Sequence, residues 1–192
     1  MLKIEERKYR KNKQKGATNK IDKAVNNYIK SIRNNFTTDI CIDTSVVKKG
    51  HTLSIKLAKA PQTMLFKKAK SFLNEFGTNK FNNKKTNQVI YVSSTDINKD
   101  IYNTLKDPLQ KRFINEHIAL YSNINKIIEN GILIAESNET KGRKKLSDWK
   151  YFVSNVLIDG RPFIVEFDSV IDNNDQNRRH FRLKRIYEIQ KK

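Results

Sequence analysis

The sequence holds a single cysteine, Cys41, which excludes an intramolecular disulfide framework and a cysteine-rich zinc site. Because it sits in an apolar run, Cys41 is expected to be a small buried hydrophobe rather than a catalytic thiol. No apolar run approaches the roughly 20 residues that cross a bilayer, and the N-terminus lacks the hydrophobic core of a signal peptide. The expectation is a soluble, cytoplasmic protein with no membrane partner. Also missing are the phosphate loop G-x-x-x-x-G-K-[ST], the dinucleotide turn G-x-G-x-x-G and the zinc helix H-E-x-x-H. Three histidines and one cysteine make a poor metal-ligand supply, so no cofactor is expected. Asp39 with Asp43, or Glu166 with Asp168, could share a strand face and hold magnesium, but in so basic a chain they read first as counter-charges.

Acidic residues are scarce as well. Against 20 Asp+Glu stand 39 Lys+Arg, a formal +19 that exceeds what solubility requires and implies a polyanionic partner, nucleic acid first. The excess is uneven: residues 1–108 hold 23 Lys+Arg against 9 Asp+Glu, and residues 109–192 hold 16 against 11. Residues 1–19 carry Lys3, Arg7, Lys8, Arg10, Lys11, Lys13 and Lys15 with almost no apolar side chains, the composition of a flexible, solvated arm. Such an arm is either a phosphate-gripping tail or a solubilising linker.

From residue 20 to 34, Ile21, Val25, Tyr28, Ile29 and Ile32 recur at helical spacing opposite Lys20, Lys23, Lys30 and Arg33, an amphipathic helix. Asp39–Val47 and Thr52–Leu57 read as strands of a hairpin. Pro61 opens a helix whose stripe contains Leu65, Phe66, Ala69, Phe72, Leu73 and Phe76 and which closes at Gly77. Residues 78–87 read as a basic polar loop, Val89–Val92 as a short strand, and Thr95-Asp96 as the cap of a helix holding Ile97, Ile101 and Leu105. With no internal repeat and no Pro/Gly/Ser-rich linker, residues 20–192 are expected to form one α+β domain.

The most strongly patterned stretch is 109–190. Asp107 can cap a helix, Pro108 fits its first turn, Gln110 completes a capping-box spacing, and Asn130-Gly131 offers a left-handed stop. Between them, Phe113, His117, Tyr121, Ile124 and Ile128 form a stripe reinforced by Ile114, Ile118 and Ile127, so one helix over 109–129 is expected, with one titratable residue on its apolar face. Strand-like runs follow at Ile132–Ala135, Tyr151–Ile158, Phe163–Phe167 and Phe181–Ile189. The Asp159-Gly160 pair joins two of them in a two-residue turn. The expected fold is α+β, with helices packed on an antiparallel β-meander and an additional N-terminal α/β portion.

His117 with "HIALYSNINKIIENGILIAES", then "NETKGRKK", then "WKYFVSNVLIDGRPFIVEF" and a closing "HFRLKRIYEI" resemble the nuclease-like domain of large polyvalent proteins of phages and mobile elements. That domain is grouped with the barnase/EndoU/colicin/RelE superfamily of RNases, and the resemblance spans about 109–190. It implies that superfamily's fold, carries His117 over as the acid/base residue, and matches the family's basic linker loosely at Lys141, Arg143, Lys144 and Lys145.

A metal-free RNase needs a base for the 2′-hydroxyl, an acid for the leaving 5′ oxygen and cations for the phosphorane. By pKa, His117 and His180 are the natural acid/base pair; Arg182 and Tyr187, with Tyr151 as a substitute, could complete the set. Lys8, Arg10, Lys11 and Lys13 of the arm, the linker cations, and Arg178 and Arg179 are the expected nucleic-acid contacts. A histidine on an apolar stripe is also often a satisfied core group, and His180 could be a loop-end residue. Two function classes follow. One is a metal-independent RNase-like toxin or effector, with an acidic immunity or inhibitor protein as partner. The other is a non-catalytic accessory protein that grips nucleic acid, RNA favoured over DNA.

Overall fold

The computed structural model describes residues 20–48, 62–141, 145–171 and 178–189, with only the backbone described at 48, 138–141 and 145–147. The fold is α+β, built on a single seven-stranded sheet. Its centre is the expected meander: β4 (Ile132–Lys141), β5 (Lys145–Ile158), β6 (Arg161–Ile171) and β7 (Arg179–Glu188) pair antiparallel in sequence order. The β5–β6 turn has φ +50° at Asp159 and +75° at Gly160, the left-handed pair that an Asp-Gly hairpin turn requires. Asp159 also accepts from the backbone and hydroxyl of Thr44 at 2.9 and 2.6 Å, fastening the earlier chain to the turn.

Contrary to a purely antiparallel sheet, the N-terminal part adds parallel pairings. The strand β1 (Cys41–Ile42) runs parallel to the end of β5, and β3 (Gln88–Tyr91) runs parallel to β7 and extends the sheet through β2 (Lys80–Asn83). The expected strand Asp39–Val47 shrinks to those two residues. Asp43 then accepts from Ser45 and starts the short helix α2 (Ser45–Lys48), so the segment turns away from the sheet. Within β1 the pleat turns Ile42 inward and Cys41 out, so Cys41 is exposed and not the buried hydrophobe expected. The expected strand Thr52–Leu57 and the helix-opening Pro61 lie outside the described residues.

Residues 80–83 of the supposed loop form β2. Phe81 and Asn83 alternate inward, and buried Asn83 donates to the carbonyls of Ile128 and Gly131 at 2.7 and 2.8 Å. The helix α3 (Gln62–Glu75) buries Leu65, Ala69, Phe72 and Leu73, and its chain reverses at Gly77, φ +63°. The helix α4 (Ser94–Lys106) starts two residues earlier than a Thr95 cap would place it, in a capping box of Ser93 and Asp96.

The expected helix 109–129 is broken into α5 (Pro108–Lys111), α6 (Ile114–Leu120), a 3-10 turn (Tyr121–Asn123) and α7 (Ile124–Glu129). Phe113 (φ −103°, ψ 24°) and Asn123 (φ −131°, ψ 25°) leave helical geometry. Phe113 packs edge-on against Phe163, with ring centroids 5.6 Å apart, and the hydroxyl of Tyr121 donates to Asp100. Asp107 caps as expected, accepting from Leu109 N at 2.9 Å. Gln110 does not complete a capping box, because its side chain turns into the core, and Gly131 has no left-handed φ.

One face of the sheet, with Phe152, Val156, Phe163, Val165, Phe167 and Phe181, packs on α3, α4, α6 and α7 as the main core. On the other face, α1 (residues 20–32) covers Val153 and Ile164 with Val25. The outer side of α1 exposes Lys20, Lys23 and Lys30, as expected from its amphipathic spacing.

Candidate nucleic-acid interface

Strand register arranges the face under α1 into rows. Lys80, Tyr91, His180, Val170 and Trp149 are successive partners across β2, β3, β7, β6 and β5. The next rows hold Arg182, Asp168 and Tyr151, then Arg185, Glu166 and Val153, then Tyr187, Ile164 and Asn155. The helix α1 seals the last two rows: Tyr28 donates to Asn155 at 3.1 Å, and Asp22 pairs with Arg185. Its first turn reaches the other end, where Ile21 packs beside Trp149, Tyr151 and Val170. The junction with the basic residues 1–19 is therefore at the Trp149 end of the sheet.

The cations of β7 and its neighbours divide into two classes. Arg179, Lys184 and Arg185 are held by carboxylates. Arg179 is buried and paired with Asp148. Lys184, the extra residue of a β-bulge in β7, lies 2.8 Å from the buried Asp168. Arg185 bridges Asp22 and Glu166, and these carboxylates raise its pKa against the effect of burial. By contrast, Lys80, Arg178 and Arg182 have no carboxylate at ion-pair distance among the described residues and rest on aromatic rings. Lys80 Nζ and the Arg178 guanidinium lie 5.4 and 4.7 Å from the Tyr91 centroid, and Arg182 lies 4.9 Å from that of Trp149. Buried Nε atoms of Arg178 and Arg182 have no hydrogen-bond partner among the described residues.

Burial lifts the Asp168 carboxyl to about pKa 6, with Lys184 and Arg182 pulling the other way. Glu166 and Asp168, one of the two acid pairs that could hold magnesium, thus face Lys184, Arg185 and the Tyr187 hydroxyl, which donates to Glu166 at 2.7 Å. No metal-holding group of His, Cys, Asp and Glu exists among the described residues. Burial and the Glu166 charge raise the Tyr187 pKa, so this phenol holds its proton and braces Glu166.

The two candidate histidines are in different settings: Gln110 and Thr104 for His117, Asp96 for His180. His117 is 2 % exposed. Its Nε2 lies 3.0 Å from Gln110 Oε1 and its Nδ1 3.4 Å from Thr104 Oγ1. Burial drives its pKa down to about 3, so the ring is neutral, and among the described residues no acid/base partner or cation lies in hydrogen-bonding reach. The geometry gives it a place in the core rather than in a cleft. His180 is half-buried in the Tyr91 row, its Nδ1 3.1 Å from Asp96 Oδ2. Lys8, Arg10, Lys11, Lys13, Arg143 and Lys144 lie outside the described residues, and Lys141 and Lys145 pair at the end of the β4–β5 hairpin.

A family model described as large polyvalent protein-associated domain 3 matches residues 61–181. The chain belongs to this family. No curated protein and no solved structure matches the chain. The match supports the resemblance to domains of large polyvalent proteins and makes no statement about a nuclease superfamily. In this large polyvalent protein-associated domain, α1, β1 and α2 precede the matched region, so the helix covering the second sheet face lies outside it. No described helix is long and apolar enough to cross a membrane.

Lys80, Tyr91 and Trp149 were not singled out from sequence as contacts. The available signal was the alternation Arg178, His180, Arg182 along a strand, but it needed β3 as a neighbour to gain its aromatic partner.

Proposed function

We propose that the chain is a nucleic-acid-binding accessory module of a large polyvalent phage or mobile-element protein, acting in the cytoplasm and gripping RNA in preference to DNA. The carrying observation is that Lys80, Arg178 and Arg182 lie on aromatic rings along one end of the sheet, with no carboxylate at ion-pair distance among the described residues. Cations outside ion-pair contact favour phosphates, and the described chain that follows the basic residues 1–19 begins at the same end. His117, neutral and sealed in the core, fits a binder better than an RNase that depends on it.

One observation supports the RNase-like toxin as a second reading. His180 stands in the basic row with Asp96 against its Nδ1, the orientation a carboxylate gives to an acid/base imidazole. An acidic immunity protein would belong to that reading alone. Labelled RNA incubated in EDTA with the wild type, His117→Gln and His180→Gln separates the readings. Binding by all three with intact RNA supports the accessory module. Cleavage to 2′,3′-cyclic ends that His180→Gln abolishes would replace it with the enzyme.

A further inference from the structure

Tyr91 stands out from the other aromatic residues of the sheet because its described ring contacts are both cationic, Lys80 from the cross-strand position and Arg178 from the residue just before β7. The ring is half-buried, on β3 beside the edge strand β2 rather than under α1. Val89, two residues earlier on the same strand, is 43 % exposed, so this margin is open to a ligand. Two like charges at 5.4 and 4.7 Å from one ring, with no acid neutralising either among the described residues, make a positive, flat-walled position.

A phosphate alone would satisfy the cations and leave the ring unused. A duplex offers phosphates but keeps its base faces inside the stack, so it too leaves the ring unused. An unpaired nucleotide supplies both a π-face for the phenol and a phosphate for the cations. We propose that Tyr91 is a stacking platform for one unpaired base of a single-stranded nucleic acid, with Lys80 and Arg178 moving from the ring, over which they lie, to the flanking phosphates. This rests on the nucleic-acid reading above and adds the strandedness of the ligand. RNA and DNA share the chemistry, and a strand of each with one sequence tells them apart.

The test is fluorescence anisotropy of the full chain with a short labelled single strand, as RNA and as DNA, with the matching duplex, and with the same strand carrying abasic sites. The wild type should bind the single strand more tightly than the duplex. Tyr91→Ala should weaken single-strand binding about 5- to 150-fold, the loss expected for one stacked base, and leave duplex binding unchanged. Tyr91→Phe should retain wild-type affinity, because the ring and not the hydroxyl stacks. The abasic strand tests the ring without any variant: the wild type should bind it about as weakly as Tyr91→Ala binds the intact strand. Equal wild-type binding of intact and abasic strands overturns the stacking platform while leaving a phosphate-gripping module in place. A wild type that binds none of the ligands overturns both.

Discussion

His117 Nε2 and Ile186 N converge on one acceptor, the side-chain oxygen of Gln110, at 3.0 and 2.8 Å. Gln110 Nε2 returns a bond to Ile186 O at 3.3 Å, so the amide closes a two-way bridge between α5 and the end of β7. With Gln110 Oε1 as acceptor, the His117 proton belongs on Nε2, and the Thr104 hydroxyl can donate to Nδ1. Both ring nitrogens are thereby used in joining α4, α5, α6 and β7, and neither is left for a substrate.

This bridge has a pH signature. With its folded pKa lowered to about 3, His117 stays neutral in the fold, while the unfolded chain takes up a proton below its ordinary value near 6.5. Stability is therefore fully present above that ordinary value and is lost as pH falls toward about 3, by up to about 1.4 kcal/mol per pH unit. Asp168 acts oppositely. With its folded pKa raised to about 6 from 3.8, its contribution is present below 3.8 and is lost as pH rises through about 6. In His117→Gln the His117 dependence is absent while those of Asp168 and the likewise raised Asp100 are common to both proteins, so the stability gap between wild type and variant should narrow from about pH 7.5 to about pH 4.5. Urea unfolding at several pH values measures it, and a constant gap would refute a buried neutral His117.

Gly131 is required for space rather than for backbone freedom. A Cβ there would lie 2.5 Å from Phe167 Cζ, and that ring is held between Phe152 and Phe181 at centroid distances of 5.1 and 5.2 Å. Gly131→Ala should cost about 1–3 kcal/mol through overpacking. Gly77, with φ +63° and nothing near its Cβ position, should accept Asn readily where Gly131 does not. Thermal unfolding of the two Asn variants checks the contrast.

Local chemistry made the meander legible: Asp159-Gly160 encodes its turn, and the alternation of Phe163, Val165 and Phe167 encodes a buried face. The broken helix was hidden because Phe113, Ile114, Ile118, Ile124 and Ile127 all face the core whether or not the backbone is continuous. Apolar spacing reports the buried side and says little about where φ and ψ depart. The strand β2 was hidden for a different reason. Lys80, Phe81, Asn82 and Asn83 have a loop-like composition, and Asn83 is buried only because the Ile128 and Gly131 carbonyls receive its amide.

The site was legible as charge but not as geometry. Arg178 and Arg179 look equivalent in sequence, but the pleat sends Arg179 to Asp148 and leaves Arg178 on Tyr91. Tyr91 and Lys80 join them through the parallel β3–β7 pairing, a long-range register that no local pattern encodes.

Binding at the Tyr91 edge is tested most directly by the salt dependence of single-stranded RNA binding, compared between the wild type and a Lys80→Gln/Arg178→Gln double variant. If each cation neutralises one phosphate, the slope of log Kobs against log salt should fall in magnitude by about 1.4 in the double variant, about 0.7 for each lost contact. A double variant with the wild-type slope and wild-type affinity at every salt concentration would contradict nucleic-acid binding at this edge.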